Sequence, residues 1–555
     1  MNAIERGRAR LLDFEKLQPE NFWRADPHAR RVLRRRAGEE RFREWEAGLD
    51  RFGAACAGPI NAAVIAANLP HNLPRLERYS AFGERIEAIE FHPSYHEAGR
   101  SIYGSGVMSV LGEPGNNLRS FALFYLSAHN GEAGHNCPLA CTAGLIRALR
   151  HVGDEALRAR TLPRLLSSDY DQLAHGAQFL TEVQGGSDVG ANAVRAVPDP
   201  ASAAWRIHGE KWFCSNASFD LALVTARPEG ATRGTAGLGL FLLPRRLPDG
   251  TLNAYRIRRL KDKLGTRSMA SGEIDFDGAV AWPVGPLEDG FENVMTYVIN
   301  TSRVANAFGC CGNARRALLV AHAYARTRSA FGAEILAYPM TQETLADMRV
   351  ECAAMLSGSL AIAERMDGEE LGRLDAPGRA FLRMALNLNK LRSALSAHEV
   401  IVSGIEVLGG NGAIETFSVL PRLLRDNVVY ENWEGSHNVL LLQVLRDCRR
   451  KSLHEGFFAQ LAAQAGGHAR LAPAVEAARR ALALALEADD AAASLLMRGL
   501  GNRLAWLQWA CAMVEDGSEA ALLDHFLDRR LGPAPQGEAA YLARIRMLSE
   551  APRDS

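Results

Sequence analysis

A carboxylate that could remove a proton stands in the segment 430–438, where Glu434 lies between Trp433 and Gly435. The apolar stretch 439–445 follows directly. A glutamate beside a tryptophan and just ahead of a buried helix would be shielded from water, which raises its basicity. The alternative is an exposed acid in a loop, and the catalytic interpretation depends on agreement with other motifs.

Two glycine-bearing loops could contact a ligand. The first, 181–188, combines Gly185 and Gly186 with the hydroxyl residues Thr181 and Ser187. Small residues let the backbone approach a flat or phosphorylated ligand, and the hydroxyls add hydrogen bonds. The second, 408–412, contains three glycines after a predicted helix, where several amides can converge on an anion. Each loop by itself is more often a structural turn.

A third candidate, 211–216, places Trp212, Phe213 and Ser215 at the end of a predicted strand. Either aromatic ring could stack on a planar ligand, and a position in the core of a β-domain is the alternative.

Other cofactor and metal motifs find no support. The glycine pairs at 104–106 and 237–239 lack the third glycine of a nicotinamide-binding fingerprint, and no P-loop lysine motif occurs. A cluster of four metal-ligand types has neither paired CxxC nor HxxxH spacing, and Pro138 interrupts it, so we favour a helix start lining a pocket; the four are His129, His135, Cys137 and Cys141.

A chain of 555 residues is too long to fold around one hydrophobic core. The sequence divides into four segments, which must position these residues. Residues 1–177 are predicted to be an N-terminal helical domain. Residues 178–285, rich in β-branched and aromatic runs separated by turns, are predicted to form a compact antiparallel β-domain. Residues 286–450 return to helical spacing and predict a four-helix-type bundle that carries Glu434. Residues 451–555 predict a separate helical unit, docked on the bundle.

Composition sets the broad class. Hydrophobic residues make up 47% and charged residues 23%, which is typical of globular chains and argues against membrane-spanning and disordered classes. The 64 basic and 64 acidic residues give no net charge, so the protein as a whole would not attract polyanions such as nucleic acids. Nine scattered cysteines and the lack of signal-peptide order predict a reducing cytoplasm.

Taken in order, the four motifs resemble the acyl-CoA dehydrogenase flavoprotein family across residues from about 90 to 450. Thr181-Glu182 with the following glycines is similar to its first signature, and 406–412, 425–426 and 433–436 are similar to its second. Within the family the chain resembles the AidB-like branch. The similarity lies in short sequence motifs such as 91–93, 132–138 and 260–265 and in the helical extension after residue 450. The implied fold is α+β: an N-terminal helical domain, a central antiparallel β-barrel, a helical bundle and an extra helical domain.

The resemblance implies bound FAD and a homotetramer. Thr181 and the backbone from Phe179 to Ser187 would contact the flavin, Phe213 would cover its face, and Ser215 would bond near N5. The remaining positions that match cofactor-binding residues of the family are Gly186, Trp433, Gly435, Ser436 and Asn438, with Ser436 and Asn438 holding the diphosphate and adenosine portions. Four further residues would reach the FAD of a neighbouring subunit, with Phe331 beside them: Arg328, Gly409, Gly410 and Gly412.

By the same resemblance, Glu434 occupies the position of the catalytic base. It would remove the proton next to the thioester carbonyl of an acyl-CoA while hydride leaves the β-carbon for flavin N5. An electron-transfer flavoprotein is the implied electron acceptor. Two positions depart from the family pattern: Ala330 replaces a hydroxyl residue and Pro339 replaces a glutamine. These changes would leave fewer contacts between FAD and the neighbouring subunit.

Two other functions compete with acyl-CoA oxidation. The AidB-like resemblance suggests a DNA-associated protective flavoprotein, and a third alternative is an acyl-CoA-binding protein with little turnover. The segment from Lys451 onward holds eleven basic and thirteen acidic residues, which weighs against DNA binding by the extension. Folding could still gather four arginines into a patch: Arg479, Arg480, Arg529 and Arg530. The arginine-rich stretch 30–45 is interpreted as a solvated helix face with local charge pairs.

Overall fold

The computed structural model describes residues 2–131 and 133–550. The α-helices are α1 (Ala3–Lys16), α2 (Pro27–Ala37), α3 (Glu39–Ala55), α4 (Asn61–Ala67), α5 (Pro93–Gly104), α6 (Asn117–Ala128), α7 (Ala133–Val152), α8 (Glu155–Leu165), α9 (Gly290–Asn293), α10 (Asn300–Thr327), α11 (Pro339–Glu370), α12 (Ala376–Leu408), α13 (Leu420–Asn432), α14 (His437–Lys451), α15 (Leu453–Ala465), α16 (Leu471–Glu487), α17 (Asp490–Glu515), α18 (Ala520–Arg530) and α19 (Ala539–Ser549). In this part of the chain we find no helix with the length and apolar character that a membrane crossing requires.

The β-strands are β1 (Arg75–Tyr79), β2 (Arg85–Glu90), β3 (Gly176–Phe179), β4 (Arg195–Pro198), β5 (Trp205–Ser215), β6 (Leu221–Pro228), β7 (Gly239–Pro244), β8 (Tyr255–Leu260), β9 (Ser271–Pro283), β10 (Ser329–Ala330) and β11 (Ala333–Glu334). The predicted order of helices, strands and helices is therefore confirmed. The hairpin of β1 and β2, inside the segment that we expected to be helical, was not predicted.

The chain divides into two compact units. The bundle unit contains the described residues up to Gly58, Asn117–Gly131, and the chain from Asn306 onward. The barrel unit contains Pro59–Asn116 and the described residues from 133 to Ala305.

In the barrel unit, seven strands form a sheet in the order β3-β6-β4-β5-β9-β7, with β8 beside β9. An additional pairing of β6 with β7 closes five of these strands into a barrel, as predicted. Most pairings are antiparallel as predicted, but β6 runs parallel to both β3 and β4, which was not predicted. Alternate residues of the strands fill the interior; examples are Phe179, Ile207, Val224, Phe241 and Ile257, all 0% exposed.

Helix α7 runs through Pro138 instead of ending there. A proline in a helix leaves the carbonyl four residues earlier without its usual N–H donor. Here the Tyr95 hydroxyl donates to the Gly134 carbonyl at 3.0 Å and replaces that bond. The helix therefore continues through Pro138, because a tyrosine from α5 supplies the missing donor.

In the bundle unit, the predicted apolar faces are buried, including Ala317 and Tyr324 on α10 and Leu345 and Met355 on α11. The extension after residue 450 is helical as predicted, but it belongs to the same compact unit as the bundle. Trp509 on α17 is fully buried and donates its indole N–H to Asn389 Oδ1 at 2.8 Å. It packs where Gly358 leaves space, since a Cβ at that glycine would lie 2.1 Å from the indole ring.

Candidate active site

The first site segment is the turn at residues 181–188, called here the barrel turn, which follows β3 in the barrel unit. The Trp212 amide donates to the Thr181 carbonyl at 2.9 Å, which ties the start of the turn to β5. Gly186 lies against Thr181, because a Cβ at Gly186 would stand 3.0 Å from Thr181 Oγ1. Ser187 is exposed and Thr181 half-buried, so both hydroxyls are accessible, while the Phe179 side chain belongs to the barrel core and only its backbone could contact a ligand.

A buried ion pair fixes the barrel turn from beneath. Lys211 Nζ lies 2.7 Å from Glu182 Oε1, and both side chains are almost completely buried. The same ammonium donates to the Leu180 carbonyl at 3.0 Å, and Glu182 accepts the amide of Ala193 at 2.6 Å. Burial lowers the pKa of the Lys211 ammonium, and the neighbouring Glu182 carboxylate opposes that shift. The turn therefore has little freedom to move relative to β5.

The end of β5 presents an aromatic ring and a hydroxyl. Phe213 is 51% exposed and the following Cys214 is fully buried, as strand alternation requires. The Lys261 ammonium lies 3.5 Å from the centre of the Trp212 ring and 4.6 Å from that of Phe213, a cation–π arrangement. Ser215, two residues after Phe213, is half-buried. An exposed ring on this polar edge has the geometry for stacking on a planar ligand.

The second site segment is the turn at residues 433–436, called here the helix turn, between α13 and α14 in the bundle unit. Glu434 has φ +58° and Gly435 has φ +106°. A left-handed conformation is costly for a non-glycine residue, by on the order of 1 kcal/mol or more, and such strain concentrates at functional sites. The Glu434 side chain is half-buried, as is the adjacent Trp433, whose ring packs against Tyr430 at 5.4 Å.

Lys390 on α12 holds the helix turn at both sides of Glu434. Its side chain is fully buried, and Nζ donates to the Glu431 carbonyl at 3.0 Å and to the Gly435 carbonyl at 2.9 Å. Asn306 donates to the Tyr430 carbonyl at 3.0 Å and adds a further restraint. The strained backbone at Glu434 is thus fixed by side chains from two other helices.

Residues after the helix turn begin α14. Ser436 is the N-cap residue, half-buried, with no side-chain capping bond in the described structure, so its hydroxyl is available. Asn438 is exposed. The pKa of His437 is lowered to about 4, first by burial and then by Lys390 and Arg392, so this ring is neutral at pH 7. The segment therefore offers neutral hydrogen-bonding groups beside a positively charged region.

The residues predicted to reach a second subunit lie on exposed parts of the bundle unit. Arg328 is exposed at the end of α10 and lines a cavity of about 260 Å³ with Arg6 and Arg10. Phe331 is 97% exposed. Gly409, with φ +59°, and Gly410 end α12 in open space, whereas Gly412 is buried against the Ile405 backbone, 2.5 Å from where a Cβ would stand.

Both departures from the family pattern have local structural roles. Ala330 ends the short strand β10, and its carbonyl accepts a hydrogen bond from the Tyr338 hydroxyl at 2.7 Å. Pro339 is the first residue of α11, where a missing amide proton costs nothing.

The histidine and cysteine cluster predicted to line a helix start is buried around α6 and α7. His129 Nδ1 lies 2.9 Å from the Tyr125 carbonyl, and His135 Nε2 lies 2.8 Å from the Tyr95 carbonyl. Within the described residues we find no group of three or more histidine, cysteine or acidic side chains arranged to hold a metal ion.

The four arginines that could have formed a DNA-binding patch each pair with a carboxylate. Arg479 and Arg480 lie 3.9 and 3.4 Å from Glu476. Arg529 lies 2.7 Å from Asp347, and Arg530 lies 3.0 Å from Glu351. The arginine-rich stretch 30–45 forms local ion pairs as predicted, including Arg30–Glu46, Arg34–Glu39 and Arg43–Glu39. The prediction of one solvated helix face is wrong, because the stretch spans α2 and α3 and Arg36 is buried against Asp516 at 2.6 Å. Paired arginines have less charge to offer to phosphates.

Sequence reasoning missed the lysines that fix both turns. Lys211 was assigned to an aromatic segment without its partner Glu182, and Lys390 was not noticed. The available signal was that Lys390 stands four residues from an apolar position on either side in a predicted helix, since a fully buried lysine is rare unless its charge is satisfied.

Three family models match the chain: "Adaptive response protein AidB N-terminal domain" over residues 14–172, "Acyl-CoA dehydrogenase, middle domain" over 177–279 and "Acyl-CoA dehydrogenase, C-terminal domain" over 288–448. Acyl-CoA dehydrogenase family member 11 of Caenorhabditis elegans is 32% identical over 77% of this chain and 70% of its own length. The putative acyl-CoA dehydrogenase AidB of Escherichia coli is 34% identical over 68% of this chain and 69% of its own length.

A solved structure of the same family supports this similarity. C. elegans ACDH-11 in complex with C11-CoA matches with a TM-score of 0.80 and 27% identity, covering 94% of this chain and 90% of that one. The protein therefore belongs to the acyl-CoA dehydrogenase family and is AidB-like within it.

Proposed function

We propose that this protein is an FAD-dependent oxidoreductase that removes hydrogen from the α,β-bond of an acyl-CoA thioester, with Glu434 as the base. The observation that carries the proposal is the strained backbone at Glu434, bracketed by the two carbonyls that buried Lys390 holds. A carboxylate at a non-glycine left-handed position, fixed by a buried cation, is what a positioned proton acceptor requires.

The barrel unit has residues that fit FAD. The two turn hydroxyls, Thr181 and Ser187, are accessible, Gly186 lets a ligand approach the backbone, and Phe213 offers an exposed ring two residues before Ser215. We assign these residues to the flavin, together with the backbone at Phe179. In the bundle unit, Trp433, Gly435, Ser436 and Asn438 are assigned to the rest of the cofactor. When bound, FAD supplies the hydride acceptor.

The chain's own residues perform the proton half of the reaction. The Glu434 carboxylate takes the proton from the carbon next to the thioester carbonyl. Lys390 keeps the turn backbone fixed, so the carboxylate does not have to be reoriented for each turnover. The neutral His437 ring places no additional positive charge beside the turn.

We also propose a homotetramer in which a neighbouring chain completes the FAD contacts. The exposed Arg328, Gly409 and Gly410 and the almost fully exposed Phe331 support this, because a ring that is 97% exposed suits contact with another chain. Gly412, being buried, would contribute only by shaping the loop. An electron-transfer flavoprotein is the proposed acceptor of the electrons, and light scattering with and without FAD tests the assembly.

The reaction is tested by anaerobic titration of the purified protein with short-, medium- and long-chain acyl-CoAs. We expect at least one of them to bleach the flavin absorbance, and we expect Glu434→Gln to retain FAD while bleaching is lost. Bleaching that persists in Glu434→Gln would remove the assignment of the base.

The same titration decides against the acyl-CoA-binding alternative. A C11-CoA complex is known for a related protein, which supports acyl-CoA as the ligand class. Tight binding without bleaching by any acyl-CoA would indicate sequestration instead of oxidation. For DNA binding, the paired arginines of the extension supply no support.

A further inference from the structure

A second cavity, of about 420 Å³, opens in the bundle unit beside α2, α10, α11 and the end of α19. No residue that we assigned to FAD or to the acyl-CoA reaction lines it within the described chain. Its volume falls within the range of small-molecule sites, which is about 300–1,000 Å³. The cavity is therefore large enough for a ligand of its own.

The walls of this cavity combine leucines with cations. One face of α10 supplies Arg315, Leu318, Leu319, His322 and Arg326 at intervals of three or four residues. Opposite them, Leu345 and Arg349 come from α11, and other segments add Leu17, Pro19, Leu548 and Arg24, which is paired with Asp50 at 2.6 Å. Two glutamates with exposed side chains, Glu20 and Glu550, also line the cavity. Such walls suit a ligand with an apolar body and a negative end.

Arg349 is the cation with unused donors. Its Nη1 donates to the Leu548 and Glu550 carbonyls, both at 3.2 Å, and Nε and Nη2 make no hydrogen bond to any described residue. No carboxylate of the described chain lies within salt-bridge distance of it. Arg315 differs, since its Nε lies 3.4 Å from Asp26 Oδ2. A guanidinium with a free edge can receive both oxygens of a carboxylate side by side.

The electrostatic environment favours an anion. The pKa of His322 is lowered to about 4, first by burial and then by Arg326, Arg315 and Arg349, so the ring is neutral at pH 7. Burial also lowers the pKa of Arg349 and Arg315 adds to that shift, while the more distant carboxylates of Glu519 and Asp26 oppose it without cancelling it. Three arginines thus create a positive potential that a single negative group would relieve.

We propose that this cavity binds a medium-length aliphatic carboxylic acid, with Arg349 as the partner of the carboxylate and the leucines covering the chain. A free phosphate fits less well, because its second charge and strong hydration match poorly with the apolar part of the wall, which includes five leucines. The proposal is independent of the acyl-CoA reaction, which uses other residues.

Calorimetric titration of the full chain with octanoate tests the proposal, with 1-octanol as the uncharged analogue. We expect one octanoate per chain, unchanged affinity in saturating acyl-CoA, and binding of 1-octanol that is at least about ten-fold weaker, because the charged hydrogen bonds are lost. Equal affinity for 1-octanol, no octanoate binding, or displacement of octanoate by acyl-CoA would overturn it.

Two variants locate the ligand. Arg349→Met should weaken octanoate by at least about ten-fold, whereas Arg546→Met, on an exposed position of α19 outside the cavity, should leave it unchanged. Leu319→Trp keeps every arginine and fills the cavity, so it should weaken binding to a similar degree. If Arg349→Met does not fold, Leu319→Trp decides, and octanoate affinity that either folded variant leaves intact would contradict the proposal.

Discussion

The barrel turn and the helix turn are each fixed by one buried lysine, but the two lysines are used differently. Lys211 pairs with Glu182 at 2.7 Å, and together they bind the backbone on both sides of the barrel turn. Lys390 donates to the two backbone carbonyls on either side of Glu434. These hydrogen bonds hold Glu434 in its left-handed backbone conformation. The barrel turn is thus fixed by an ion pair that also binds its flanking backbone, and the helix turn is fixed by a cation that holds the backbone around the proposed base.

The largest effect is expected from Lys211→Met. Removing one partner of a buried pair leaves Glu182 charged and buried, which costs about 3–5 kcal/mol in the free energy of unfolding. Denaturant unfolding measures this cost, and Lys451→Met, at an exposed position, is the matched control. The double variant Lys211→Met/Glu182→Gln should recover most of the loss, because glutamine is uncharged and still offers an acceptor to the Ala193 amide. If it recovers none, the buried pair is not what supports the barrel turn.

Next in size is the effect of Lys390→Met on the reaction. Loss of the two carbonyl contacts should displace Glu434 and slow flavin reduction by roughly 10²-fold, since displacements of about 1 Å have such effects. Because Gly435 and Ser436 of the same turn are assigned to FAD, the rate is measured at saturating FAD. Stopped-flow reduction by the best acyl-CoA gives the rate. An unchanged rate in a folded Lys390→Met protein would show that the two turns do not differ as described.

A smaller change is expected when the barrel turn is altered at Gly186. Gly186→Ala places a methyl group 3.0 Å from Thr181 Oγ1 and should weaken FAD by about ten-fold, or about 1.4 kcal/mol. Gly185→Ala is the control, because its nearest neighbour would be 3.7 Å away. Fluorescence titration of the apoprotein with FAD compares the two, and equal affinities would remove Thr181 from the cofactor site.

The smallest effect concerns pH and the charge around the helix turn. The folded pKa of His437, about 4, lies below its unfolded value of 6.5, so the unfolded chain binds the proton first and stability is lost as pH falls from 6.5 to 4. Because His437 keeps some solvent contact, we expect His437→Gln to remove only about 1 kcal/mol of this loss. Unfolding of both proteins at pH 7 and pH 4.5 measures the difference, and a reversed sign would contradict the positive environment assigned to this turn.

The order of helices and strands could be predicted because it depends on local periodicity. Strand alternation at Ile274–Phe276 and helical spacing at Leu345–Met355 each follow from neighbouring residues. The parallel pairing of β6 with β3 and β4 could not be predicted. The sequence of one strand does not determine which distant strand it pairs with, or in which direction and register. The hairpin of β1 and β2 escaped notice because its strands are short and mostly polar.

The site residues stay a prediction, and they could be proposed from the sequence for the same reason. Glu434, Thr181 and Phe213 stand in local motifs with a recognisable chemistry. The contacts that position them join residues far apart in sequence, such as Lys390 with Gly435 and Lys211 with Glu182. The burial of Trp509 against Gly358 is another such contact, and it places the extension inside the bundle unit instead of in a separate one.

Exchange of the substrate's α-proton tests the role of Glu434 most directly, because it does not depend on electron transfer to an acceptor. The protein with bound FAD is incubated with an acyl-CoA in deuterated water, and the α-carbon is followed by NMR. We expect the unchanged protein to incorporate deuterium and Glu434→Gln to incorporate none beyond the protein-free rate. Equal incorporation by both proteins would contradict the assignment of Glu434 as the base.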